Sequence, residues 1–477
     1  MSRRFSDWPI LLTSLPVLLA MLWLQGREAG RRNIDNDELE HLNGAYFTTR
    51  GETLYGSIYE NHPPLTAVLL QPVVRSSDIP QVLIVRGRWV MLALSAVLLA
   101  AVARFAWYAG GWPSAILAAT LLLAHPFYFD KFMEVRPDVP AIVLLVVGFH
   151  PLLYAASTGR RWMALAAGAT LCAAGLFTPK VIFVAFGATV AAVVVSGRRT
   201  PDARVRSAVE TLIWIVTGAA AVAGITAAVL AWYGVLGGFI TDFIGSGVSM
   251  RIDDVAAFRH YYLKHALYGA AVTWALAALG AIVVSARREG PAGHAEILCW
   301  SLAAGLVGLF VTEVPLRQFF LTFVPPVAVM AACGATMLGR WVAARLPPIV
   351  TAIAMTALVL FATVPALRAA LGPRESMEAQ LRTINTVVAL TGPDDRVFDS
   401  GTGLYLTRLP AYRYFYLNTD VLRLRPPEEW TREVLAALQD PRVKVAFAED
   451  FLPGPIVEFV RDRFAPIPEC EPARLRR

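Results

Sequence analysis

The strongest constraint on this chain is a series of apolar segments, each close to the length that crosses a bilayer. They run Ile10–Leu24, Trp89–Tyr108, Ser114–Phe129, Val139–Ser157, Met163–Phe177, Val181–Ser196, Ala208–Tyr233, Leu267–Ser285, Ile297–Val311, Phe319–Leu338 and Ile349–Leu367. A spanning helix needs about 20 residues. Backbone groups in lipid must be satisfied within the segment, so such runs fold as helices. The sequence therefore predicts about eleven spans. Composition agrees, because 17% of the residues are charged and mean hydropathy is +0.53, whereas soluble domains are about a quarter charged. The fold class expected is a polytopic α-helical membrane protein.

The net charge of +7 is carried mostly by arginine. In such a protein the excess reads as topology, since cytoplasmic loops collect Lys and Arg. Arg3 and Arg4 precede the first span and place the N-terminus in the cytoplasm. Alternate threading then puts Arg104, Arg160, Arg161, Arg198, Arg199, Arg204, Arg206, Arg287, Arg288, Arg340 and Arg345 on the same side. An odd number of spans leaves the C-terminus outside. The expected location is the cytoplasmic (inner) membrane, multi-pass, with loop 26–81 and the C-terminal domain on the outer face. No basic run with interleaved aromatics is present, so nucleic acid is excluded as a partner. Cys172, Cys299, Cys333 and Cys470 are scattered, which excludes a disulfide framework or cysteine metal cluster.

Composition shifts after Leu367. Residues 1–371 read as a membrane domain and 372–477 as a small extracytoplasmic α/β domain. Helices are predicted at Ser376–Leu390, Pro427–Leu438 and Pro455–Phe464, and strands at Val397–Phe398, Tyr412–Leu417 and Val443–Phe447. This part has no phosphate-cradling glycine loop, nucleophile elbow or metal-ligand spacing. It is expected to position the acceptor.

The chemistry-bearing residues lie between spans. The stretch Ile34–Leu65 holds two histidines and a run of acids and ends in His62-Pro63-Pro64. Asp35 is placed to cap a helix with Glu38 at its third position, a capping-box pattern. In that register Leu39, Leu42 and Tyr46 form an apolar face expected to lie on the bilayer, while Asp37 and His41 fall one turn apart on the polar side. The plainer reading is that acids in a first turn complement the helix dipole. That reading leaves Glu60-Asn61-His62 unexplained. A second polar stretch, Asp130 to Asp138, contains Arg136-Pro137-Asp138, with Pro137 suited to the first helical position. It also reads plainly as a helix start with Arg136 anchored at the interface. Lys180, Arg251, Arg259, Lys264, Glu313 and Arg317 add charge at the same ends of other spans. Acids and cations together at the outer membrane face suit a reaction on an anionic, lipid-linked substrate.

The runs DELEHLNGAYFTTRG and YENHPPL, with the later VRPD, resemble those of bacterial GT-C glycosyltransferases. More narrowly they are similar to the family-39 protein mannosyltransferase and aminoarabinose-transferase group. The resemblance implies an integral-membrane enzyme that takes a sugar from a polyprenyl phosphate on the outer face. It places Asp37 and Glu38 where that family has its catalytic Asp-Glu, and Asp138 where it has a second acid. Aminoarabinose transferases carry Lys before the Pro-Pro pair, where this chain has His62.

A polyprenyl phosphate is already a good leaving group, so one base on the acceptor hydroxyl suffices for a single inverting displacement. Asp37 is the expected base. Glu38, His41 and Glu60 would orient it or the acceptor, and Lys180, Arg317 and His62 would hold the phosphate. Arg136 and Asp138 complete the substrate-binding set. Asp35-Asn36-Asp37 is formally Asp-x-Asp, a divalent-metal pattern suited to more highly charged donors, so no metal or other cofactor is assigned. The expected partners are a polyprenyl-phosphate-linked sugar, an acceptor of unspecified class and membrane lipids. A flippase for a lipid-linked sugar, a non-catalytic scaffold and a polysaccharide polymerase or ligase are the competing readings. A flippase would carry its charges near the midplane or in repeated halves, whereas here they sit at span ends.

Overall fold

The computed structural model of the chain describes residues 7–477 except 200, 246–253, 287–292, 314–316, 373–374, 415–416, 418, 450, 469 and 471–472. Arg3, Arg4, Arg251, Arg287 and Arg288 lie outside the described residues, as does the side chain of Arg317.

Each expected span falls on one helix or on two consecutive ones, the latter for Ser114–Phe129, Leu267–Ser285 and Phe319–Leu338. Among the described residues, eight helices are long and apolar enough to cross a membrane: Asp7–Ala29, Pro80–Gly110, Asp138–Thr158, Pro179–Arg199, Arg204–Trp232, His294–Val311, Val324–Ala343 and Pro348–Leu371. A ninth arises if Val255–Gly269 and Ala271–Ser285, bent by 80°, count together. The segment expected at Ser114–Phe129 is a 12-residue helix, Trp112–Leu123, followed by a short one, Pro126–Lys131. Arg161–Gly175 has 15 residues. At 1.5 Å per residue both fall short of a 30 Å hydrocarbon core.

Glycine sets how closely the spans pack. Arg161–Gly175 lies against Arg204–Trp232, and Ala271–Ala286 against Val324–Ala343. A Cβ on Gly280 would stand 1.8 Å from the Met330 carbonyl oxygen, and one on Gly334 would stand 2.3 Å from that of Leu276. Small residues that let backbones touch are the usual way helices associate in lipid, where burial gives no hydrophobic gain.

The loop 26–81 is itself mostly helical. Asn36–Thr48 and the apolar Leu65–Val74 pack on each other and on Pro80–Gly110. Leu39, Leu42 and Tyr46 do not lie on the bilayer as expected. They are buried in protein, because Leu65–Val74 covers one side and Gly403 presses on Leu39 from the C-terminal part.

The C-terminal part is a five-stranded mixed sheet in the order β2-β1-β3-β5-β4, with β1 Arg396–Asp399, β2 Leu409–Pro410, β3 Val443–Phe447, β4 Phe464–Pro466 and β5 Ala473–Arg476. β2, β1 and β3 are parallel, and β5 runs antiparallel to β3 and β4. Helix Pro427–Leu438 buries Trp430, Val434 and Leu438, one turn apart, on the core side. The strand expected at Tyr412–Leu417 is absent from the sheet among the described residues, and the pairing segment is Leu409–Pro410. The Arg413 carbonyl instead accepts from the Tyr59 amide at 2.9 Å, and Tyr59 and Tyr414 stack with ring centroids 4.3 Å apart. That segment is spent on joining the sheet to the first loop.

Gly280→Val should force the Ala271–Ala286 and Val324–Ala343 helices apart and cost about 1–3 kcal/mol or more. Gly224→Val, where the added Cβ meets nothing within 4 Å, should change little. Thermal unfolding of both variants in detergent checks this, and equal midpoints would refute the close-packing argument.

Candidate active site

The helix Asn36–Thr48 starts as its sequence dictates. Asp35 is the N-cap and accepts from the Asp37 amide at 3.2 Å, while Glu38 accepts from the Asp35 amide at 3.1 Å. The cap fixes the first turn, and that turn carries the acids.

Glu38 is fully buried. Arg88 donates to it through Nε at 2.9 Å and Nη2 at 2.6 Å, and the Val135 amide donates to it at 3.0 Å. The remaining Arg88 donors go to the carbonyls of Ala29, Arg32 and Asn33. Arg88 has no accessible surface, so this is a bidentate pair taken out of water with its donors satisfied. The sequence reading missed Arg88. An arginine inside an apolar span helix was the signal that would have found it.

Asp37 points the other way and keeps 31% of its side chain exposed. Its Oδ2 lies 2.5 Å from Arg136 Nη1. Arg136 is buried, and its Nε donates to Asp138 at 3.3 Å. Asp138 in turn accepts from Lys180 Nζ at 3.0 Å. Lys131 binds Asp35 at 2.7 Å and also pairs with Glu134, which Arg32 reaches at 2.9 Å. Acids and cations alternate from Asp35 to Lys180. Pro137 sits at the N-cap of Asp138–Thr158, one position earlier than expected, and Asp138 opens the first turn. Burial pushes the Asp37 carboxyl up, but Arg136, with His41, Lys131 and His62 farther off, holds it well below the usual carboxylate range.

A second group sits one turn along the helix. Glu60 accepts from the His62 amide at 2.8 Å and lies 2.9 Å from His62 Nδ1. The Tyr55 hydroxyl holds the His62 carbonyl at 2.6 Å, and the Leu65 amide meets the Leu176 carbonyl at 3.4 Å. These bonds dock the Pro63-Pro64 segment beside the turn that carries Lys180. The rings of His41 and His62 meet edge to face with centroids 4.7 Å apart. Burial drives the His41 imidazole far down and pushes Glu40 up to about 8.

Of the residues singled out in the sequence, Asp37, Arg136, Asp138 and Lys180 form one continuous network. His41, Glu60 and His62 form an adjacent cluster. Glu38 is turned inward onto Arg88. The helix Arg317–Leu321 packs on Pro126–Lys131 and Asp138–Thr158, and the Arg317 side chain lies outside the described residues. The sequence reading did not assign roles to Glu40, Lys131 and Glu134, which the fold brings into the same charged layer.

Solved structures share this architecture. ArnT from Cupriavidus metallidurans bound to undecaprenyl phosphate matches with a TM-score of 0.58 at 11% identity, over 84% of this chain and 85% of that one. Its apo form matches with 0.59 at 12%, over 93% of each. The Archaeoglobus fulgidus oligosaccharyltransferase tethered with an acceptor peptide matches with 0.57 at 10%, over 91% of this chain and 69% of that one. The chain shares the fold of these proteins, a GT-C-like architecture. No protein-family model matches the sequence, and no curated protein sequence does. In this GT-C fold the acid-bearing first-loop helix sits between the span helices and the C-terminal sheet, where Asn36 Nδ2 donates to the Gly401 carbonyl at 3.1 Å.

Arg88→Met should destabilise the protein by about 3–5 kcal/mol, because it strands the Glu38 charge. Adding Glu38→Gln removes that charge while keeping an acceptor for the Asp35 and Val135 amides. The double variant should recover part of the loss in a thermal unfolding series. No recovery would mean that shape and not charge dominates.

Proposed function

We propose that this protein moves a sugar from a polyprenyl-phosphate donor to an acceptor hydroxyl, with inversion, at the outer face of the cytoplasmic membrane. The observation that carries the reading is a partly exposed carboxylate, Asp37, held ionised by Arg136, with Lys180 one carboxylate farther along. It stands in a fold shared with a transferase bound to undecaprenyl phosphate. The outer-face placement rests on the arginines of the span connections. Arg160, Arg161, Arg198 and Arg199 sit at the opposite ends of the Asp138–Thr158 and Pro179–Arg199 helices from Asp138 and Lys180, and such arginines gather on the cytoplasmic side.

In this mechanism the acceptor oxygen attacks the anomeric carbon while the bond from that carbon to the phosphate oxygen breaks. The hydroxyl proton passes to Asp37, and the polyprenyl phosphate leaves with the electron pair. A carboxylate of depressed pKa is a weak base, so its first task is to accept the hydroxyl hydrogen bond and aim the oxygen. The proton follows late, as the departing phosphate makes the hydroxyl acidic. Lys180 meets the charge that grows on the phosphate, with His62 and Arg317 as further donor contacts. A retaining route needs a second carboxylate free to act as nucleophile. Asp138 is buried between Arg136 and Lys180, and Glu38 is locked to Arg88, which favours the single displacement. Glu38 then acts by position, through Arg88 and the Val135 amide. The C-terminal part, 372–477, closes on the first-loop helix through Gly401 and Gly403. We assign it to the acceptor side.

The direct test incubates purified protein with labelled polyprenyl-phosphate sugars and cell-envelope extract. Transfer of label to an envelope acceptor supports the reading, and none with any donor refutes it. Asp37→Asn should lower turnover by about 10²–10⁴ with donor affinity unchanged. In the wild type, kcat/KM should stay level as pH falls through the ordinary carboxylate range, because Asp37 ionises below it. Arg136→Gln should move that acid limb upward. A limb in the same place in both proteins would sink the Asp37 assignment.

A further inference from the structure

We infer that His41, Glu60 and His62 form a binding site for a borderline first-row divalent ion of the zinc class. Their ligand atoms all lie within 4.8 Å of one another. A tetrahedral ion with bonds of about 2.05 Å wants its ligands about 3.3 Å apart. Glu60 and His62 Nδ1 already stand 2.9 Å apart, and the site requires side-chain rotation to bring all three donors to that spacing.

The second observation is an orphan. His41 Nε2 is buried in the cluster with no hydrogen-bond partner, and the residue is only 3% exposed. Leaving such a buried group unmatched is unfavourable. A proton on His62 would satisfy Glu60, 2.9 Å away, and help Glu40, 3.8 Å away. It would leave His41 as it is, because the two rings meet edge to face and neither nitrogen of His62 bonds to it. An ion serves both imidazoles and the carboxylate at once. Two histidines and one glutamate with a fourth position open to water, Glu40 or an incoming oxygen is a donor set for zinc, and imidazole selects against magnesium and calcium.

The backbone supports the same conclusion. His41 lies on a helix whose residues from Glu38 to Phe47 are all buried. Glu60 and His62 are held by the Tyr55 hydroxyl and by the Tyr59–Arg413 bond. The ion would tie the closing segment of the first loop to the helix that carries Asp37, and would place positive charge beside the network ending in Lys180. This site is distinct from Asp35-Asn36-Asp37, whose carboxylates are taken by Lys131 and Arg136. It does not depend on which group the protein transfers.

The test uses the full chain, free of any histidine tag, stripped with chelator in detergent and reloaded with Zn²⁺ or Co²⁺. One zinc per chain should remain after dialysis, and cobalt should give visible d–d bands of a four- or five-coordinate centre. His41→Gln and Glu60→Gln should abolish the bands, while Asp37→Asn should keep them. His62→Cys keeps a ligand at that position and should add a sulfur-to-cobalt charge-transfer band, so the site stays testable if the other variants fold poorly. Three outcomes would overturn the inference. They are no retained zinc and no bands, bands unchanged in His41→Gln, or bands lost in Asp37→Asn, which would move the ion to the Asp-x-Asp acids.

Discussion

The site depends on the carboxylate of Glu38. That one group closes the N-terminus of its own helix through the Asp35 amide, pairs with Arg88 in a span helix, and takes the Val135 amide beside Arg136. Three segments that are 50 and 97 residues apart in the chain are thereby fixed to one another. Removing a carboxylate and a guanidinium from water is expensive, and the cost is repaid only when the remaining donors and acceptors are also met. Here the Arg88 donors reach three carbonyls. The consequence for function is geometric. With Val135 held, Arg136 is delivered to Asp37, which keeps 31% of its side chain exposed.

Much of this was legible from sequence, and what was missed shares one cause. Local rules placed the Asp35 cap, the capping box with Glu38, the helix start at Asp138 and the position of the spans, because each depends on residues within a turn or two. Sequence also singled out Asp37, Asp138 and Lys180 without saying that Arg136 joins them. The roles of Arg88 and Glu38 depend on a pair 50 residues apart, which periodicity does not encode. The apolar face Leu39–Leu42–Tyr46 was legible as apolar, but whether lipid or protein covers it is decided by Leu65–Val74 and by Gly403, far along the chain. The strand expected at Tyr412–Leu417 failed for the same reason. Its composition suits a strand, but its backbone bonds to Tyr59 of the first loop.

The sheet and the membrane part therefore act as one structure around the loop. Gln380 bonds both the amide and the carbonyl of Ile34, Asn36 reaches Gly401, Tyr59 pairs with Arg413, and Arg413 also engages Asp242. These contacts enclose the first-loop helix from the side opposite the spans. A loop so enclosed keeps the low effective dielectric that lets a few fixed charges act strongly. Asp37 stays partly exposed within it.

Under the proposed function, the alternating charges also bear on which cation a donor phosphate would engage. Arg136 has 4% of its side chain exposed and is shared among Asp35, Asp37, Glu134 and Asp138. Drawing it toward a phosphate would strand several buried carboxylates at once, each worth kilocalories. Lys180 has 26% exposed and holds Asp138. Asp138 keeps Arg136 when Lys180 turns away, so the exchange leaves no buried charge unpaired. A lysine on a flexible stem also suits a ligand that gains charge as it leaves, because its ammonium can follow the phosphate without a fixed fork geometry. In the proposed reaction Arg136 would therefore keep Asp37 ionised while Lys180 answers the donor phosphate, with Asp138 paired to both.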